Sequence, residues 1–328
     1  MKTLITLNNP DLQALVFPEE TVKRLEAISE VDWLSDYSTL EARIGEYDAV
    51  ISSWGSPRLT PEVLQKAEKL KFVGHAAGTV LPYMDKRIFE RKITVVNANR
   101  ILSRATAEGA VAMMAAGSYR LQSYDSMMRS GGWANNDVEW VPGLSGQTIG
   151  IIGFGDISRE VIRLLQPYHP EILLYSGYCS PEEAQRLGVK LCGLEELLQS
   201  AGIVSLHNTL TSKTRGMIGK RELAMMKDGA LLLNTARAPI IQEQALVEEL
   251  EKGRIYAILD VYEQEPLPMD HPLRSLPNAW LFPHIAAYSG FWKKQLGMSV
   301  VENLERFLAG EAVLDRITAE KYVRMTPV

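Results

Sequence analysis

The sequence predicts an α/β fold with two doubly wound parallel sheets, and three observations carry that reading. Short apolar runs alternate with helical patterns along most of the chain, a strand-turn-helix stretch with a glycine pair lies between Thr148 and Ser158, and 328 residues are too many for one ordinary core. The net charge is −5 with a pI of about 5.7, and the basic residues are scattered, which argues against a nucleic-acid surface and for a small-molecule partner. Cys179 and Cys192 have no metal-ligand spacing and form no disulfide framework, so no metal is expected and a reducing cytoplasm is. The apolar run Leu4 to Leu7 stops at Asn8-Asn9-Pro10, too short for a signal sequence, and no later run approaches membrane-spanning length.

In the first third, apolar strands are expected at Thr3–Leu7, Ala49–Ser52, Lys71–Gly74 and Ile93–Val96, with helical patterns at Pro18–Ser29, Pro61–Lys69 and Tyr83–Arg91. The loop after Lys71–Gly74 carries Gly78 and Thr79. Its bare N–H groups suit a carboxylate, although an ordinary strand-to-helix turn reads equally well. Ala105 to Arg129 is helical and rich in small residues, and a segment bearing Trp133 and Trp140 follows. An oligomer contact, here a homodimer, is one reading of this region and a buried domain connector is the other.

The central stretch reads as a buried strand, Ile149 to Ile152, a turn, Gly153-Phe154-Gly155-Asp156-Ile157-Ser158, and an amphipathic helix, Arg159 to Gln166. Gly153 permits the turn and Gly155 lets the backbone approach a pyrophosphate that meets the helix N-terminus, so the pattern points to a dinucleotide. Ser158 takes the third glycine position. The next strand, Glu171–Tyr175, ends in Ser176-Gly177 with no acid to bind a ribose diol, so NADP is expected to be accepted at least as well as NAD. Further strands, Ile203–Leu206, Ala230–Leu233, Ile255–Asp260 and Trp280–Phe282, surround a helix through Gln242–Lys252, and Gly290–Leu308 forms a long final helix. Parallel strand ends share one sheet edge, so His207, Arg237 and Asp260 are expected to face one crevice.

Hydride transfer to a keto acid needs a cation for the carboxylate and carbonyl, a proton donor, and a carboxylate that keeps the donor charged. Arg237, His284 and Glu265 supply these types. Each alone also reads as a solvated loop cation, a satisfied core histidine or an exposed loop acid. Set in LNTAR, DVYEQEP and LFPHIAA, they stop looking independent.

With these motifs the chain, from Leu70 to about Leu308, resembles the D-isomer-specific 2-hydroxyacid dehydrogenases, the family of glyoxylate/hydroxypyruvate reductase, phosphoglycerate dehydrogenase and D-lactate dehydrogenase. The resemblance implies a flavodoxin-like substrate domain made of residues 1–99 and 294–328, around a Rossmann-type nucleotide domain of residues 100–293, usually in dimers. It implies that Arg237 binds the substrate, that His284 is the acid/base with Glu265 as its partner, and that Gly78 and Thr79 hold the carboxylate. Cofactor contacts fall to Gly153, Phe154, Gly155, Asp156, Ile157, Ser176, His207, Thr235, Ala236 and Asp260. The expected activity is NAD(P)-dependent reduction of a small 2-keto acid to its D-2-hydroxy acid. A non-catalytic, nucleotide-sensing corepressor of the same superfamily is the rival, but no long disordered tail or basic patch favours it; formate dehydrogenase would carry Gln in place of Glu265. The chain departs from the family pattern at Ser158, at Thr209 where proline is usual, at Leu81 where aspartate is common, and at Ala238-Pro239 after the arginine.

Overall fold

The computed structural model describes residues 1–133 and 141–325, and Trp140 lies outside them. The chain forms two compact units, Met1–Leu102 with Ser289–Val328, and Ser103–Tyr288. The sequence boundaries of 99 and 294 differ from these by a few residues, because one crossing falls inside the helix Asn99–Ser118 and the other just before the helix Gly290–Leu308.

The first unit contributes β1 (Lys2–Ile5), β2 (Glu30–Trp33), β3 (Ala49–Ser52), β4 (Phe72–His75) and β5 (Thr94–Asn97), parallel in the order β2-β1-β3-β4-β5. Successive residues serve opposite cores. Leu4, Val50, Val73 and Val95 pack with Tyr47 and Ile88, while Ile5, Ile51, Phe72 and Val96 pack against Leu296 and Val300 of the helix Gly290–Leu308. Burial on both faces is why these strands read as unbroken apolar runs.

The second unit holds β6 (Thr148–Ile152), β7 (Glu171–Tyr175), β8 (Lys190–Leu191), β9 (Ile203–Leu206), β10 (Leu231–Asn234), β11 (Tyr256–Leu259) and β12 (Ala279–Leu281), all parallel in the order β12-β11-β10-β9-β6-β7-β8. The order reverses between β6 and β9, the switch point where open α/β sheets hold ligands outside their carboxyl ends. The chain then adds β13 (Arg316–Ile317) antiparallel to β5 in the first sheet. Two doubly wound sheets, one of Rossmann order and one of flavodoxin order, are thus present.

The expected helix over Ala105–Arg129 is two helices, Asn99–Ser118 and Leu121–Arg129. Arg120 breaks it with φ 52°, its guanidinium over the Tyr256 ring at 3.3 Å and donating to the Gly229 carbonyl at 2.8 Å. The helical pattern at Tyr83–Arg91 shrinks to a short 3-10 helix, Lys86–Glu90, started by the Asp85 carboxylate accepting the Arg87 N–H. A helix at Pro10–Val16, capped by Asn9, occupies a stretch read only as an interruption.

Candidate active site

At the end of β6 the chain turns through Gly153, whose φ of +99° is in the left-handed region. A Cβ there would stand 2.5 Å from the Asn208 nitrogen and 2.6 Å from its Cα, so glycine alone lets this turn lie against the end of β9. Gly155 precedes the helix Asp156–Leu165, and a Cβ on it would meet nothing within 4 Å. This is open ground before a helix N-terminus, with Asp156 and Ile157 in the first turn, where backbone N–H groups and the dipole favour an anion. Phe154 carries the Arg159 guanidinium 4.1 Å from its ring centroid, and both terminal nitrogens of Arg159 pair with Glu183.

Strands β9 and β10 end side by side. His207 is spent locally, its Nε2 2.8 Å from the Ser205 hydroxyl, and burial pushes the imidazole down to about 4, so it is neutral. Among the described residues, the buried Asn208 Oδ1 and Thr235 Oγ1 have no hydrogen-bond partner. Orphaned polar atoms are rare in protein interiors, and two of the four among the described residues, the others being Thr21 Oγ1 and His75 Nε2, lie at this edge, where a ligand could satisfy them. Asn208 was not singled out from the sequence.

Asn234 shapes the next turn, its Oδ1 accepting the Ala236 N–H at 3.0 Å and its Nδ2 donating to the Arg237 carbonyl at 3.1 Å. The Arg237 guanidinium donates to the Ala236 carbonyl at 2.7 Å. Burial pulls it below its ordinary pKa, and the charge of Glu265 opposes that shift.

His284 follows β12 with φ 58°, a left-handed conformation that costs a non-glycine residue roughly 1–2 kcal/mol. Its neighbours hold it there. Asp260, expected to face the crevice, is only 1% exposed and accepts the Ile285 N–H on Oδ1 at 2.7 Å and the Ala286 N–H on Oδ2 at 2.8 Å. Burial pushes its carboxyl pKa up, and those two backbone bonds pull it back. On the other side, the Tyr262 hydroxyl lies 2.9 Å from the carbonyl oxygens of both Leu259 and Phe282, and burial pushes the phenol up to about 12. The His284 side chain is half exposed, with Nδ1 2.9 Å from Glu265 Oε2, while Glu265 Oε1 accepts the Tyr262 N–H at 3.1 Å. With Nδ1 engaged, Nε2 is the nitrogen available to a reacting oxygen.

Residues 111–286 match the family described as D-isomer specific 2-hydroxyacid dehydrogenase, NAD binding domain. The chain belongs to this dehydrogenase family. It is 33% identical over 318 residues to a D-3-phosphoglycerate dehydrogenase of Methanocaldococcus jannaschii, covering 94% of this chain and 60% of that protein. With a glyoxylate reductase of Thermococcus litoralis it shares 32% identity over 306 residues, covering 90% and 92%. The chain therefore spans less than two thirds of the first relative and nearly all of the second. In fold it matches the crystal structure of a phosphoglycerate oxidoreductase from Rhizobium etli with a TM-score of 0.84, at 23% identity over 98% of this chain and 99% of that one.

As a member of this family, the chain carries its NAD-binding domain, and the residues fit the cofactor: a glycine turn, an open helix N-terminus and two orphaned polar atoms share the switch-point edge. Ser158, in the third glycine position, is buried; its hydroxyl accepts the Gly155 N–H at 3.3 Å and donates to the Gly153 carbonyl at 2.9 Å, tying the turn to its helix. Pro239 falls in the first turn of the 3-10 helix Ala238–Ile240, and its carbonyl accepts the Gly216 N–H at 2.8 Å. Ser176 accepts the Tyr178 N–H at 3.0 Å just past β7.

In the first unit, the loop after β4 turns its carbonyls inward, Ala77 accepting the Ala98 N–H at 2.9 Å and Gly78 the Asn97 amide at 2.6 Å. Among the described residues no His/Cys/Asp/Glu group is arranged to hold a metal, and no helix is long and apolar enough to cross a membrane.

Proposed function

We propose that this chain reduces a small 2-keto acid to the D-2-hydroxy acid, with glyoxylate or hydroxypyruvate the favoured substrate type. The observation that carries the reading is the His284–Glu265 pair at 2.9 Å, on a segment held in a left-handed conformation. The reduced nicotinamide, when bound, supplies a hydride to the carbonyl carbon. Arg237 binds the carboxylate and carbonyl oxygen. His284 gives a proton from Nε2 to that oxygen, while Glu265 at Nδ1 fixes the tautomer and stabilises the imidazolium, as a carboxylate does for a catalytic histidine. The D configuration follows from the family, and the near-full-length likeness to a glyoxylate reductase supports the substrate type.

Ser176 in place of an acid supports acceptance of NADPH at least equal to that of NADH, since no carboxylate repels a 2′-phosphate. A homodimer is supported by Tyr119, Leu121, Met128 and Trp133, each about half exposed or more on or beside the helices Asn99–Ser118 and Leu121–Arg129. Two unpaired cysteines support a cytoplasmic setting. The deciding experiment follows NADH and NADPH oxidation against glyoxylate, hydroxypyruvate, pyruvate and longer branched 2-keto acids. Binding of cofactor without turnover on any of them would overturn the proposal.

A further inference from the structure

His284 keeps its left-handed backbone only while the chain after it is held, and the Asp260 carboxylate is one of two supports. The other is the backbone of a helix. Gly109 lies in Asn99–Ser118, and a Cβ on it would stand 2.1 Å from the Ala286 carbonyl oxygen, 2.9 Å from its carbon and 3.0 Å from its Cα. A carbon and a carbonyl oxygen ordinarily meet at about 3.3–3.6 Å, so any side chain here demands a shift of roughly an ångström by backbone atoms.

Which side would move is decided by how each is seated. The helix is anchored beyond Gly109 by buried Ala110, Met113 and Met114. Eight residues on, at Gly117, its backbone again lies close to the sheet, a Cβ there meeting Leu231 Cδ2 at 2.7 Å and Ile258 Cδ1 at 2.8 Å. The Ala286 segment belongs to no helix or strand ladder; besides burial of Ala286 in the same apolar cluster, it is held by the two Asp260 bonds and by the Tyr288 N–H on the Ile285 carbonyl at 2.8 Å. It is the softer partner, and His284 is two residues away.

We infer that Gly109 is a positioning residue for His284: bare helix backbone at this point seats the Ala286 carbonyl and so holds the imidazole against Glu265. The inference rests on His284 being the acid/base of the proposed reaction. Gly109→Ala and Gly117→Ala in the full chain form a matched pair, because the second meets only the flexible ends of side chains. Gly109→Ala is expected to lower kcat roughly 10- to 100-fold, the penalty of about 1 Å of misplacement. NADH affinity by fluorescence titration should stay within about twofold, and the solvent deuterium isotope effect on kcat should rise as proton transfer slows. Gly117→Ala should change Tm while leaving kcat within about twofold.

Equal effects of the two substitutions on kcat, or an unchanged isotope effect in Gly109→Ala, would overturn the inference. If Gly109→Ala does not fold, Asp260→Asn loosens the same segment without adding an atom. It must then lower kcat and raise the isotope effect; unchanged values would show that the segment needs no holding. Full turnover by His284→Ala would instead remove the acid/base reading itself, which separates the two failures.

Discussion

Glu265 spends one carboxylate oxygen on the Tyr262 N–H and the other on His284 Nδ1, so the acid that partners the imidazole is itself fixed by the backbone. Glu265→Gln keeps the shape and a hydrogen bond but removes the charge that favours imidazolium. Reduction needs the protonated ring, so the loss of kcat/KM should deepen as pH rises, while hydroxy-acid oxidation, which needs the neutral ring, should suffer least at low pH. Rate profiles in both directions check this. A loss equal at every pH would mean that Glu265 acts through orientation alone.

Arg237 is largely buried and braced by the Ala236 carbonyl. Its planar fork can hold a carboxylate and a carbonyl oxygen together, and a lysine ammonium cannot. Arg237→Lys is expected to lower kcat/KM by more than about tenfold, or roughly 1.4 kcal/mol of transition-state binding. A smaller loss in steady-state kinetics would remove Arg237 from the reaction.

Ser158 makes two hydrogen bonds from a buried site where the family pattern has glycine. Ser158→Ala leaves the Gly153 carbonyl and Gly155 N–H without that partner and should cost about 1–2 kcal/mol. Urea unfolding measures the loss. Ser158→Gly restores the usual motif yet should be no more stable, and a gain in stability would show that the serine strains the turn.

These predictions rest unequally on what the sequence discloses. The central strands are legible because both faces are buried, which writes an apolar run into each, and the glycine turn is legible because its geometry excludes other residues. The edge strands β8 and β13 have two residues each and β2 is polar and half exposed, so no pattern marks them. At Asn9-Pro10 the sequence does carry a helix signal, a capping side chain before a first-turn proline, but it sits where an apolar run ends and so looks like a break. In the site, Arg237, Glu265 and His284 stand out as residue types in motifs. The left-handed φ of His284, the Asp260 bonds and the bare backbone at Gly109 depend on contacts between distant segments, and no local pattern encodes those.

The last prediction concerns His75 and His207, which the proposed chemistry does not use. Burial pushes the His75 imidazole down to about 3 and that of His207 down to about 4, from an ordinary 6.5. Each ring is held neutral by the fold and takes a proton on unfolding, so below about pH 6.5 the unfolded chain binds more protons than the folded one. Stability should therefore be full above that pH and fall as the solution is acidified, by roughly 1.4 kcal/mol per pH unit for each ring until its folded pKa is reached. Carboxylates with lowered pKa values contribute only below about pH 4.5, leaving the window above it to these imidazoles; Asp260, whose pKa is raised, works in the opposite direction. His75 lies in the first compact unit and His207 in the second, so where unfolding shows two transitions each should report its own ring. His75→Gln is expected to flatten the acid dependence of one transition and leave the other as steep as in the wild type, with His207→Gln doing the reverse. Urea unfolding at steps between about pH 7 and about pH 4.5 decides it. If the stability gap between wild type and His75→Gln stays constant across that range, the buried ring does not resist protonation and the account is wrong.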